Sequence, residues 1–209
     1  MAFDGFPEAA LTFYDRLELE NTREFWASAK GTYEDAVRAP MQALADDLAA
    51  EFGAAKIFRP HRDVRFRADK SPYKTHQGAF VRVGEALGYY VQVSSSGVEA
   101  GAGFYRASPE RLAAFRSAVA GPAGDVLEGL LRTAAASGLE LGGDTLKTTP
   151  RGYERDHPRI GLLRHKTLTL RRDHGFAPVI HTGELVDLVR TDWRAARPVV
   201  EWLDATMSS

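Results

Sequence analysis

A single α+β domain, a mainly antiparallel sheet flanked by N-terminal and C-terminal helices, is what the sequence predicts over residues 1–209. Three observations carry it. Apolar residues recur three or four apart up to Phe52, the period changes to two between Lys56 and Arg106, and helical spacing returns after Ser108. A length of 209 residues suits one sizeable core, and 44% hydrophobic with 26% charged residues is ordinary for a globular chain.

The elements run in order. Phe6, Ala10, Phe13 and Leu17 form the stripe of an amphipathic helix, with Pro7 tolerated in its first turn. Asn21 followed by Glu24 reads as a second helix start, and Phe25, Ala29, Tyr33 and Val37 repeat the spacing until Pro40 interrupts it. Met41, Leu44, Leu48 and Phe52 make a third helix, closed by Gly53. KIFRPHRDVRFR, GAFVRVG, GYYVQVSS and GVEAGAGFYR are four strands, the last three at hairpin distances. Ser108-Pro109 opens a helix through Leu112, Phe115 and Val119, and GPAGDVLEGLLRTAAASG supplies another. LKTTPRGYERDHPR reads as a loop, LLRHKTLTLRRD as a strand returning to the sheet, and residues 184–206 as a closing helix around Leu185, Leu188, Trp193, Val200 and Leu203.

The absence of cysteine excludes disulfides, thiolate metal sites and a cysteine nucleophile, and makes a reducing cytoplasm the expected compartment. MAFDGFPEAAL places acids before any apolar run, so no signal peptide is expected. No apolar run approaches the roughly 20 residues of a membrane span, and no membrane partner is expected. The composition sets no oligomeric state.

A net charge of -1 conceals a strong polarity. From Arg59 to His76 six Arg or Lys face two Asp, and from Lys147 to His174 eight face three acids, a surplus of +9 that leaves -10 for the remainder. The chain uses 21 Arg but 6 Lys, and Lys70, Lys74, Lys147 and Lys166 all lie in the basic windows. Where arginine is the habitual cation, lysine offers a compact ammonium whose pKa can be tuned.

If residues 57–67 form one strand, Phe58, Pro60, Arg62, Val64 and Phe66 share a face, and Arg59, His61, Asp63, Arg65 and Arg67 the other. The plain reading of the second face is a solvated row of arginines paired through Asp63. Arg62, however, interrupts the apolar face, where a guanidinium requires a carboxylate or solvent. ADKSPYKTHQG follows, with Ser71-Pro72 enforcing an extended turn that presents Lys70, Tyr73 and Lys74. Such an array suits phosphate or carboxylate oxygens.

Sharper motifs fail. HRDVRFRA begins like a kinase catalytic loop, but Ala68 stands where the metal-binding asparagine belongs. GAGF at 101–104 lacks the remaining glycines of a nucleotide loop, and close packing at a hairpin explains it. His157, His165, His174 and His181 lack ligand spacing and read as structural or solvated. No metal and no cofactor is expected.

RDVRFRADKSPYKTH, GYYVQVSSSGVEAGAGFYRASPERLAAFR and GDTLKTTPRGYERDHPRIGLLRHKTL together resemble an uncharacterised family, domain of unknown function 2461, and FPEAALTFYDRLELENTREFW resembles its N-terminal helical signature. The likeness extends over nearly the whole chain, with a departure at Asn21-Thr22, where the family often has two adjacent asparagines. The resemblance implies one domain and a motif-bearing surface, and no activity. It directs attention to Arg62, Asp63, Arg65, Phe66, Asp69, Lys70, Pro72, Tyr73 and Lys74, and to Lys147, Pro150, Gly152 and Tyr153. Phe66, Pro72, Pro150 and Gly152 are most simply structural.

Three functions compete. In the first, the two basic segments converge on a pocket where Arg62, Arg65, Lys70, Lys74, Lys147 and Tyr153 bind a phosphate- or carboxylate-bearing small molecule, with Asp63, Asp69 and Tyr73 as the catalytic groups of any reaction. In the second, the windows, interleaved with Phe66, Tyr73, Tyr89, Tyr90 and Tyr153, track a nucleic-acid backbone, against which a pI of about 6.6 weighs. In the third, both windows are internal ion-pair networks and the protein acts through a partner surface.

Overall fold

The computed structural model describes residues 2–63, 65 and 69–207, which divide into two compact units. The first holds the described residues up to Val81, with Tyr90–Ala100 and Asp173–Arg190. The second holds Arg82–Tyr89, Gly101–Arg172 and the described residues from Thr191 onward. Strands β1 (Ala55–Ile57), β2 (His76–Gly84), β3 (Leu87–Ser94), β4 (Gly97–Phe104), β5 (Glu140–Gly142) and β6 (Leu168–Gly175) make one antiparallel six-stranded sheet in the order β1-β2-β3-β4-β6-β5, with helices from both ends of the chain. The α+β class is the one the sequence predicts.

In the first unit, α1 (Glu8–Leu19) begins after Pro7 and buries Ala10, Phe13, Tyr14 and Leu17. Its apolar stripe therefore faces inward, as the spacing requires. Helix α2 (Arg23–Thr32) is capped by Thr22, one residue later than expected, whose hydroxyl accepts from the Phe25 amide at 3.1 Å. Pro40 does not interrupt the helical run. The chain widens into a π-helical turn over Tyr33–Arg38, where the Ala39 amide donates to the Glu34 carbonyl, and continues as α3 (Ala39–Phe52). The wider turn accommodates a residue that has no N–H and whose ring presses on the carbonyl four positions back. Trp26 lies 4.8 Å from Tyr33 and Phe13 5.8 Å from Tyr33, ring centre to ring centre, which makes these aromatics core.

The expected strand over 57–67 is shorter. β1 pairs with β2 from Ala55↔Val81 to Ile57↔Ala79, and beyond it the ladder reduces to a single bridge, His61↔Tyr73. There the Arg62 amide donates to the Pro72 carbonyl and the Lys74 amide to the Pro60 carbonyl, each at 2.8 Å. Pro60 and Pro72 can accept but cannot donate, so a regular ladder cannot run through them. The expected placements of Val64, Phe66 and Arg67 lie outside the described residues.

In the second unit, α4 (Pro109–Ala120) is capped by Ser108, α5 (Ala123–Ala136) follows, and a single turn, α6 (Ile160–Leu163), takes Leu162 and Leu163 out of the strand expected there. β6 accordingly starts at Leu168. Helix α7 spans Leu185–Met207, beginning in the first unit and continuing through the second. The core of the second unit includes Phe104 against Phe115 at 5.5 Å and Tyr89 against Trp193 at 5.4 Å. Gly103, in the glycine-rich strand β4, has φ of +133°, and a Cβ there would fall on the Leu168 carbonyl. Close packing does explain the GAGF sequence, but against β6 and not at a hairpin.

Candidate functional site

The two basic segments fall in different units. Arg62, Asp63, Arg65, Asp69, Lys70, Tyr73 and Lys74 belong to the first, Lys147 and Tyr153 to the second.

The narrow pairing of residues 60–62 with 72–74 builds the first cluster. Asn21 fixes it: its side-chain Nδ2 donates to the Tyr73 carbonyl and its Oδ1 accepts from the Tyr73 amide, both at 3.0 Å. The Tyr73 ring is buried and stacks on Trp26 at 4.2 Å with planes 10° apart. One residue on, Lys74 places its ammonium 5.1 Å from the centre of the Phe58 ring. Phe58 is held in turn by Gln77, a buried amide whose Nε2 donates to the Phe58 and Gly78 carbonyls at 2.8 and 2.9 Å and whose Oε1 accepts from the Tyr33 hydroxyl at 2.6 Å. Burial pushes the Tyr33 phenol up to about 12, so it remains a donor.

The acids of the segment are engaged locally. Arg62, with a side chain only 20% exposed, meets the Asp69 carboxylate at 2.5 Å. Asp69 also accepts from the Ser71 hydroxyl at 2.6 Å and the Ser71 amide at 2.9 Å. The Ser71 hydroxyl, then its amide, hold the Asp69 carboxyl below the ordinary range, with Arg62 adding to the effect. A carboxylate so stabilised is a weak proton acceptor and a good anchor. Arg65 forks onto Asp63, Nε at 2.9 Å and a terminal nitrogen at 2.6 Å, in a solvent-exposed pair. Lys70 is exposed.

Lys74 differs from these. Among the described residues no carboxylate lies within ion-pair reach of it, and its neighbours are cations. Partial burial, then Arg59, then Arg62, lower its pKa. His76, two residues along the same strand edge, is lowered by burial, then by Lys74 and Arg62. The contact with Phe58 contributes about 0.5–1 kcal/mol, little against partial desolvation beside two like charges. Arg59, Arg62, Lys74 and His76 thus form a cluster whose positive charge exceeds what Asp69, through Arg62, offsets.

Sequence reasoning missed the supports, Asn21, Phe58 and Gln77, and the participation of His76. A signal for His76 exists: it follows Lys74 by two, the spacing that puts both on one face of an extended chain.

In the second unit, the Leu146 amide donates to the Arg164 carbonyl at 2.8 Å and the Lys166 amide to the Asp144 carbonyl at 2.7 Å, around the bridge Thr145↔His165. This brings Lys147 beside Arg164, and with Thr148, Thr149 and Arg155 they line a half-open pocket of about 400 Å³. Tyr153 is half-buried, within electrostatic reach of Arg116. The Nδ1 atoms of His165 and His181 lie 2.8 and 2.6 Å from the Thr167 and Phe6 carbonyls, and that of His157 accepts from the Arg159 amide at 3.0 Å. These three rings serve the backbone. Among the described residues no group of three or more His, Cys, Asp or Glu could hold a metal ion, and no helix is long and apolar enough to cross a membrane.

Residues 9–202 match the model of a family described as a conserved hypothetical protein (DUF2461). No curated protein and no solved structure matches the chain.

Proposed function

The chain belongs to this family, and we propose that its first unit binds a phosphate- or carboxylate-bearing small molecule at the cationic cluster of Arg59, Arg62, Lys74 and His76. The observation that carries the reading is Lys74: an ammonium partly desolvated on the face of Phe58, flanked by two guanidinium groups, with no carboxylate of its own among the described residues. An anion seated there converts mutual repulsion into charge-assisted hydrogen bonds. Asp69 and Ser71 orient Arg62, while Asp63 and Arg65 form an outer, exposed pair. Binding is the reading, in which Asp69 anchors Arg62, the Tyr73 ring packs on Trp26 and Asp63 holds Arg65; the catalytic roles expected of these three are not part of it.

A second reading, a purely structural ion-pair network, is favoured by the two pairs Arg62–Asp69 and Arg65–Asp63. It leaves Lys74 and His76 without a role. A nucleic-acid surface is less well supported, because Tyr73 and Tyr89 are buried against tryptophans and cannot stack on bases.

Thermal unfolding against a panel of sulfate, phosphate, citrate and nucleotides decides between them. Stabilisation of the wild type that is lost in Lys74→Met supports the site. A Lys74→Met protein stabilised by the same anions to the same extent would reject it.

A further inference from the structure

We propose that the second unit carries a pocket for the phosphate group of a small phosphomonoester, formed by Lys147, Thr148, Thr149, Arg155 and Arg164. The inference does not rest on the reading of the first unit.

The pocket is assembled by backbone hydrogen bonds before any ligand is considered. The chain at Asp144–Leu146 is tied to Arg164–Thr167 by the Leu146 and Lys166 amides, and the Thr167 hydroxyl accepts from the Asp144 amide at 2.7 Å. Lys147 and Arg164 are therefore neighbours by construction, and Arg155 comes from the intervening loop. Three cations and two hydroxyls make up the lining, with no carboxylate in it. Among the described residues none of the three cations enters an ion pair. The Nε of Arg164 is buried and has no hydrogen-bond partner. A buried guanidinium N–H left unpaired is costly, and it keeps in the pocket wall a charge that no carboxylate of the lining offsets.

The lining selects the ligand. Arg155 and Arg164 offer planar forks, Lys147 a point charge, and Thr148 and Thr149 short hydroxyl donors, so donors arrive from more directions than the two oxygens of a carboxylate can accept. A tetrahedral dianion can use them all. The pocket, half open to solvent and about 400 Å³ in volume, also exceeds what bare phosphate occupies and leaves room for a small attached body.

The test is a titration of the isotopically labelled full chain with inorganic phosphate, glycerol 3-phosphate and acetate, read by backbone amide shifts. The expected result is saturable movement of the amides of residues 147–149, 155 and 164, with glycerol 3-phosphate binding at least as tightly as inorganic phosphate and acetate far more weakly. Lys147 and Arg155 are exposed, so Lys147→Ala/Arg155→Ala should fold and melt like the wild type while losing phosphate affinity by at least about tenfold. Amides in this segment that stay in place, an unchanged affinity in the double variant, or acetate binding as tightly as phosphate would each overturn the proposal. Lys74→Met reports on the first unit alone, so the failure of either reading is distinguishable from that of the other.

Discussion

The amide of Asn21 grips the backbone of Tyr73 from both sides, donating to its carbonyl and accepting from its N–H at 3.0 Å each, across 52 residues of sequence. The contact locks the basic hairpin to the start of α2. With net hydrogen-bond contributions of about 1 kcal/mol each, Asn21→Ala is expected to cost about 2 kcal/mol in chemical denaturation and to speed amide exchange at Arg62 and Lys74. Unchanged stability and exchange would mean the hairpin is held by its aromatic contacts instead.

Tyr73 separates packing from chemistry. Its ring is buried on Trp26, so Tyr73→Phe should leave stability within about 0.5 kcal/mol while Tyr73→Ala loses about 3–5 kcal/mol. If an activity is found, its survival in Tyr73→Phe assigns the residue to packing.

The depressed pKa of His76 fixes the sign of a pH effect. Its folded value lies below the unfolded value near 6.5, so the unfolded chain binds more protons in between. Stability is full above about pH 6.5 and falls as the pH drops through that value toward the folded pKa. His76→Gln should flatten this portion of the urea-denaturation profile. An anion bound beside His76 raises its pKa, so the affinity for sulfate, whose own charge is constant here, should increase on acidification in the wild type and not in His76→Gln.

Arg159 anchors the end of α4. Its guanidinium donates to the Val119 and Gly121 carbonyls at 3.2 and 3.1 Å and to Glu128 at 3.1 Å, and it pairs with Asp125. A fork is required for four acceptors at once. Arg159→Lys is therefore expected to lower the melting temperature nearly as far as Arg159→Ala, and full rescue by lysine would show that charge alone suffices.

The helices were legible because their buried stripes are long and regular: Phe6 through Leu17 and Met41 through Leu48 are buried as the spacing dictates. Three-residue strands such as β5 carry too little period to be read. The strand over 57–67 misled because alternation persists across Pro60, while a ladder needs a donor at each bonded position. As for the site, charge density located the hairpin, but charge counting could not see that Asp63 and Asp69 are spent on Arg65 and Arg62, leaving Lys74 as the unbalanced group. Asn21 was hidden for a different reason: it reads as a helix cap, and Thr22 takes that duty, which also explains how the chain dispenses with a second asparagine.

The π turn over Tyr33–Arg38 has a consequence for length variation. Each residue added to or removed from a regular α-helix rotates everything after it by about 100°, and a turn closed by i→i+5 bonds absorbs one such residue locally. Excising the exposed Asp35 would let the segment relax into ordinary α geometry while Met41, Leu44 and Leu48 keep facing the interior they fill. A viable homologue one residue shorter in this stretch would run through it as plain α-helix, with its apolar positions downstream in the phase seen here, whereas a deletion inside α3 would demand re-phasing.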